Sequence, residues 1–166
     1  MTTTGTARDG YRAELLAVYR ATPTTLAALL RQVRAADEAR VGGEDEEAWS
    51  IVEVVCHLRD AEARVLERVR AMLERDRPEL AAYDQAALAE SANYRAQSLP
   101  EASADFARLR AEQIALLSAL TPEQWERAGL HEESGPITIE SLTAHMAAHD
   151  AIHLAQIAGR LLNQSI

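Results

Sequence analysis

The sequence predicts an all-α protein, a four-helix bundle with a long crossover connection, and three observations carry that expectation. The 48% hydrophobic fraction comes mainly from Ala and Leu, both strong helix formers, with only 4% aromatic residues. Seven Gly and five Pro leave few points at which helices can break. Four long stretches repeat apolar residues at helical spacing, as expected of helices that each bury one side. At 166 residues the chain can build one full hydrophobic core, so residues 1–166 are read as a single domain.

The first stretch runs from about Ala7 to Ala36, with Leu15, Leu16, Tyr19, Leu26, Leu29, Leu30 and Val33 forming its apolar stripe. Thr22-Pro23 reads as an N-cap followed by a proline at the first helical position, so a kink or a junction of two helices is expected there. Val41 to Ala48 (VGGEDEEA) is rich in glycine and acid and reads as a solvated loop.

Ser50 and Glu53 form a capping box just after Trp49 and start a second helix. Ile51, Val54, Val55, Leu58, Val65, Val69 and Met72 carry it toward Pro78, which cannot donate the next hydrogen bond. Glu79 to Leu99 has a weak pattern and is treated as a partly helical crossover. A third helix follows Pro100, with Phe106, Leu109, Gln113, Leu116, Leu117 and Leu120 on its inner side. Thr121-Pro122 opens a short extra turn carrying Trp125, and the following GLHEESGPIT reads as a loop. Thr138 caps the last helix, Ile139 to about Asn163.

The formal charge of -9 opposes nucleic-acid binding, which depends on clustered cations displacing counterions from phosphates. No apolar run approaches the roughly 20 residues that span a bilayer, and the N-terminus lacks a signal-peptide layout. A cytoplasmic protein without membrane or nucleic-acid partners is expected. The single cysteine, Cys56, has no internal disulfide partner.

The chemistry is concentrated in HMAAHDAIH, which sets His145, His149 and His153 at successive four-residue steps. Four residues is close to one turn, so neighbouring imidazoles can reach a common ion, and at least one further ligand must come from elsewhere. His57 is the available donor. At about 100° per residue, His153 lies about 40° from the middle of the stripe set by Ile139, Leu142, Met146, Ile157 and Leu161, His149 about 80° and His145 about 120°. His149 and His153 therefore point inward best, and His145 is assigned an outer position. His57 falls at the edge of its own stripe, which suits either a site opening to solvent or an ordinary surface histidine. Glu53, His57, Asp60 and Arg64 make a polar ridge on that helix, where either carboxylate can orient an imidazole or exchange protons. His131, in the expected loop, is given no chemical role, and Cys56 points about 100° away from His57. Trp49 and Trp125 are read as packing residues at helix ends.

Trp49-Ser50-x-x-Glu53-Val54-x-x-His57-Leu58-x-x-x-Glu62 and His149-Asp150-x-x-His153-x-x-Gln156-Ile157 together resemble the DinB-like (YfiT-like) metal-binding four-helix-bundle family. Thr22-Pro23-x-x-Leu26 and Thr121-Pro122-Glu123-Gln124-Trp125 extend the resemblance over nearly the whole chain. It implies His57, His149 and His153 as ligands of a zinc or nickel ion, a homodimer, and a small-molecule substrate. It also implies enzymes that use low-molecular-weight thiols, so a thiol is an expected co-substrate.

A metal-dependent thiol transferase or hydrolase is thus the expected activity. In it Glu53, Asp60 and Asp150 would be acid–base or ligand-orienting groups, and Gln156 a contact to metal-bound water or substrate. The alternative is a non-catalytic metal- or ligand-binding stress-response bundle. Imidazole ligands suit several divalent ions, so spacing does not select the metal.

Overall fold

A computed structural model of the chain describes residues 3–39 and 49–162, with side chains from residue 7 onward. The acidic loop expected over Val41 to Ala48 lies outside the described residues. In chain order the elements are α1 (Thr3–Leu30), α2 (Ile51–Glu74), β1 (Glu79–Leu80), α3 (Gln85–Ser91), α4 (Leu99–Ser118), α5 (Pro122–Trp125), β2 (Ala128–His131), β3 (Gly135–Thr138) and α6 (Ile139–Leu162). The long helices α1, α2, α4 and α6 form a four-helix bundle. Each of α1 and α2 packs against both α4 and α6, so the first two helices face each other across the diagonal.

The helix starts follow from local chemistry. Ser50 Oγ accepts from the Glu53 amide while the Ser50 amide donates to Glu53 Oε2 at 2.9 Å, which completes the capping box of α2. Thr138 and Ser141 exchange equivalent bonds at the start of α6. Ser98 caps α4, and Thr121 with Gln124 caps α5.

Two readings change. The junction of two helices expected as one alternative at Pro23 does not form: α1 passes through it as one element. Thr22 is not a cap but a buried residue, with Oγ1 within 3.2 Å of the Val18 carbonyl and 3.1 Å of Asp150 Oδ2. Packing of α1 against α4 and α6 on both sides of the proline outweighs the one hydrogen bond that its ring removes. Second, the stretch read as a loop before α6 is a hairpin, β2 antiparallel to β3, and β1 from the crossover adds in parallel to β2. The approach of β1 to β2 is close enough that a Cβ at Gly129 would sit 2.6 Å from Leu80 Cδ1.

The buried apolar residues divide into two groups along the bundle. One gathers Leu26, Ile51, Val54, Val55, Leu58, Phe106 and Ile157; the other gathers Tyr19, Val65, Val69, Leu117, Ile139 and Met146. Buried polar residues from all four long helices meet in one layer: Thr22, Glu62, Arg110 and Asp150. Arg110 donates to both Glu62 oxygens at 2.8 Å and to Asp150 Oδ2 at 2.6 Å, and its guanidinium lies 4.2 Å from the Tyr19 ring centroid. Burial disfavours the cation, but the hydrogen bonds to Asp150 and Glu62 outweigh it and raise the Arg110 pKa. No described helix is long and apolar enough to cross a membrane.

Candidate metal centre

The first two turns of α2 are buried on every side, because α2 packs against α4, α6, α3 and the turn around Tyr94, and Leu26 of α1 joins the same core cluster. His57 is therefore not at a solvent-facing edge but only 2% exposed, with its ring 5.1 Å from Trp49. From α6, His149 and His153 meet it. His57 Nε2 lies 2.8 Å from His149 Nε2, and one ligand nitrogen from each of the three imidazoles fits within a 4.8 Å span. His145 stays outside this group, exposed, with its ring centroid 6.5 Å from that of His149.

The donor set fits a divalent cation on two grounds. The nitrogens lie close enough together, none more than 4.8 Å from another, to approach the roughly 3.3 Å edge of a tetrahedron with bonds of about 2.0–2.1 Å. Two of them are also held neutral, with their lone pairs available: burial, followed by the neighbouring His153, pushes His57 down to about 4 and His149 down to about 3. His153 Nδ1 bonds Gln156 Oε1 at 2.8 Å, which makes Nδ1 the donor and leaves Nε2 for a metal. His149 Nδ1 is buried and has no hydrogen-bond partner among the described residues.

The four remaining sequence candidates are placed as follows. Gln156 touches His153, as above. Glu53 caps α2 and pairs with Arg95; burial pushes its pKa up, but Ser50 and Arg95 together hold it below the usual range. Asp60 binds Arg59 and accepts from the Tyr94 hydroxyl at 2.6 Å. Asp150 turns away from the histidines into the Arg110 layer, 1% exposed. The structure thus gathers His57, His149, His153 and Gln156, and gives the three carboxylates separate partners.

A cleft of about 460 Å³ opens beside His149, between the later turns of α2, the start of α6, the hairpin and the crossover. Arg64, Arg68, Tyr83, His131 and His145 line it. His131 Nδ1 accepts from the amides of Glu133 and Ser134 at 3.3 Å, so its Nε2 carries the proton. The cleft residues of the hairpin and crossover carried no signal in the sequence beyond residue type, because strand pairing across distant segments brings them to α6.

The model of the DinB superfamily matches residues 14–157, and the chain belongs to that superfamily. Two Oceanobacillus iheyensis proteins, each named "Putative metal-dependent hydrolase", are 31% identical to it. One match covers 72% of this chain and 69% of the relative, the other 66% and 63%. Among solved structures, the fold is similar to YfiT from Bacillus subtilis, described as "a probable metal-dependent hydrolase with an unusual four-helix bundle topology". That likeness has a TM-score of 0.84 and 21% identity over 93% of this chain and 87% of that one. A mycothiol-dependent maleylpyruvate isomerase shares the fold at a TM-score of 0.70 and 12% identity, over 88% of this chain and 60% of that one.

Proposed function

We propose that the protein is a metal-dependent hydrolase in which His57, His149 and His153 hold one divalent cation, zinc or nickel, at the inner end of the cleft. The observation that carries this reading is the convergence of three imidazoles from two helices beside an open cavity. The names of the two relatives agree with it. Such an ion supplies Lewis acidity, which ionises a water or thiol near neutral pH and polarises a carbonyl. Gln156 fixes the His153 ring, Trp49 walls off the His57 side, and His145 stands at the cleft where it can pass a proton between solvent and substrate.

Transfer of a low-molecular-weight thiol is the second reading, favoured by the fold shared with a mycothiol-dependent enzyme. Metal analysis of purified protein, followed by ester, lactone and amide hydrolysis and by monochlorobimane conjugation with a panel of small thiols, tests both. Each activity should vanish on chelation, return on metal addition and be absent from His149→Ala. Wild-type protein without stoichiometric metal after purification and reconstitution would refute the proposal. Conjugation without hydrolysis would select the thiol reading.

A further inference from the structure

Most of the described arginines are paired with acidic side chains or backbone carbonyls: Arg8 and Arg12 with Glu126 and Glu140, Arg59 with Asp60, Arg70 with Glu112, Arg110 with Glu62 and Asp150. Arg64 and Arg68, successive turns of α2 inside the cleft, meet no described carboxylate within ion-pair distance. Arg64 stacks on Tyr83 with its guanidinium carbon 4.1 Å from the ring centroid. Stacking occupies the face of the guanidinium and leaves its in-plane N–H donors free. Arg68 spends one N–H on the Ala81 carbonyl at 2.6 Å and keeps the others. Both side chains are half-buried. Burial and the charge of Arg64 together lower the Arg68 pKa, as expected of two cations sharing a cleft. The opposing wall adds His131, His145 and the exposed Glu133. On a chain of net charge -9, this cleft brings two cations together at one place.

The spacing relates this pocket to the metal centre. Arg64 follows His57 by seven residues and Arg68 by eleven, about 10 and 16 Å along the helix axis, and side chains lean back toward the helix N-terminus. From these placements we infer that the cleft binds a small substrate by an anionic group, a carboxylate or phosphate, clasped by Arg64 and Arg68, with its reacting bond directed toward the three histidines. The inference rests on the metal-dependent reading only for the second half of that statement. Its substrate class is an ester, amide or thioester bearing an anionic end within reach of the pocket.

Titration calorimetry with succinate, inorganic phosphate and neutral succinamide tests it, on protein stripped of metal by chelation and on protein reloaded with zinc. The stripped protein should bind succinate or phosphate but not succinamide; tighter binding of succinate assigns a carboxylate, of phosphate a phosphoryl group. Arg64→Gln and Arg68→Gln should each weaken that binding roughly tenfold or more, the loss of charge-assisted hydrogen bonds. Arg64→Lys should keep part of it, and Arg70→Gln, outside the cleft, all of it. Arginine Nε–H NMR signals shifted by the anion in wild type give the same answer without a variant.

No binding of either anion, equal binding of succinamide, or binding unchanged in both glutamine variants would overturn the inference. Binding that disappears on chelation and survives both glutamine variants would put the anion on the ion, ending this inference and leaving the metal reading intact. Anion binding at the arginines in a protein that never takes up metal would do the reverse.

Discussion

Arg110 Nη1 donates to Asp150 Oδ2 at 2.6 Å, and neither side chain has more than 1% of its surface in contact with solvent. Asp150 adjoins His149 in sequence, so the bond that ties α4 to α6 also fixes the axial position of the turn that carries two metal-ligand candidates. The Arg110 layer is a stability element with a positional consequence for the site.

Arg110→Met should therefore destabilise the protein by about 3–5 kcal/mol, because it leaves Glu62 and Asp150 as uncompensated buried carboxylates. Breaking the exposed Arg70–Glu112 pair by Arg70→Ala should cost about 1 kcal/mol or less. Urea denaturation of both variants checks the contrast; equal losses would mean that the buried layer contributes no more than a surface pair.

Gln156→Leu should leave the melting temperature of the metal-free protein nearly unchanged and weaken metal affinity roughly 10–100-fold, since His153 loses the bond that holds its ring and tautomer. Competition with a chromophoric chelator measures this directly.

The metal-free protein should lose stability in mild acid. His57 and His149 titrate near 4 and 3 when folded and near the ordinary histidine value of about 6.5 when unfolded. The unfolded chain thus binds protons that the folded one refuses. Stability from these two groups is complete above about 6.5 and is lost progressively as pH falls through 4. Thermal melts of chelated protein from pH 7.5 to 4, compared with those of His57→Gln, should show a smaller acid loss in the variant.

Cys56 should resist alkylation in the folded state. It is fully buried, and burial pushes its thiol up to about 11 against the opposing pull of Arg59. Iodoacetamide at pH 8 should label it only after denaturant is added; rapid labelling of native protein would show a thiol more open than its position on α2 allows.

The caps and the α6 histidines were legible because their signals are local: Ser50 with Glu53, Thr138 before Ile139, His149 with His153 one turn on. The three-histidine cluster and the four-helix bundle are present as expected. What escaped depends on partners distant in sequence. His57 looked marginal by helical phase because a single stripe cannot represent two turns enclosed on all sides. Arg110 is in phase with Phe106, Gln113 and Leu117, yet nothing adjacent to it reveals that Glu62 and Asp150 will make its burial tolerable. The hairpin was hidden because its turn and strands are rich in Gly, Glu and Ser, and its third strand is two residues from the crossover. Thr22 followed the local cap rule, and tertiary packing overruled it.

His57 and His149 are separated by 92 positions, yet their ring nitrogens lie 2.8 Å apart. A cation held by both rings would need α2 and α6 already docked, so metal uptake would report on tertiary assembly rather than on the formation of either helix alone.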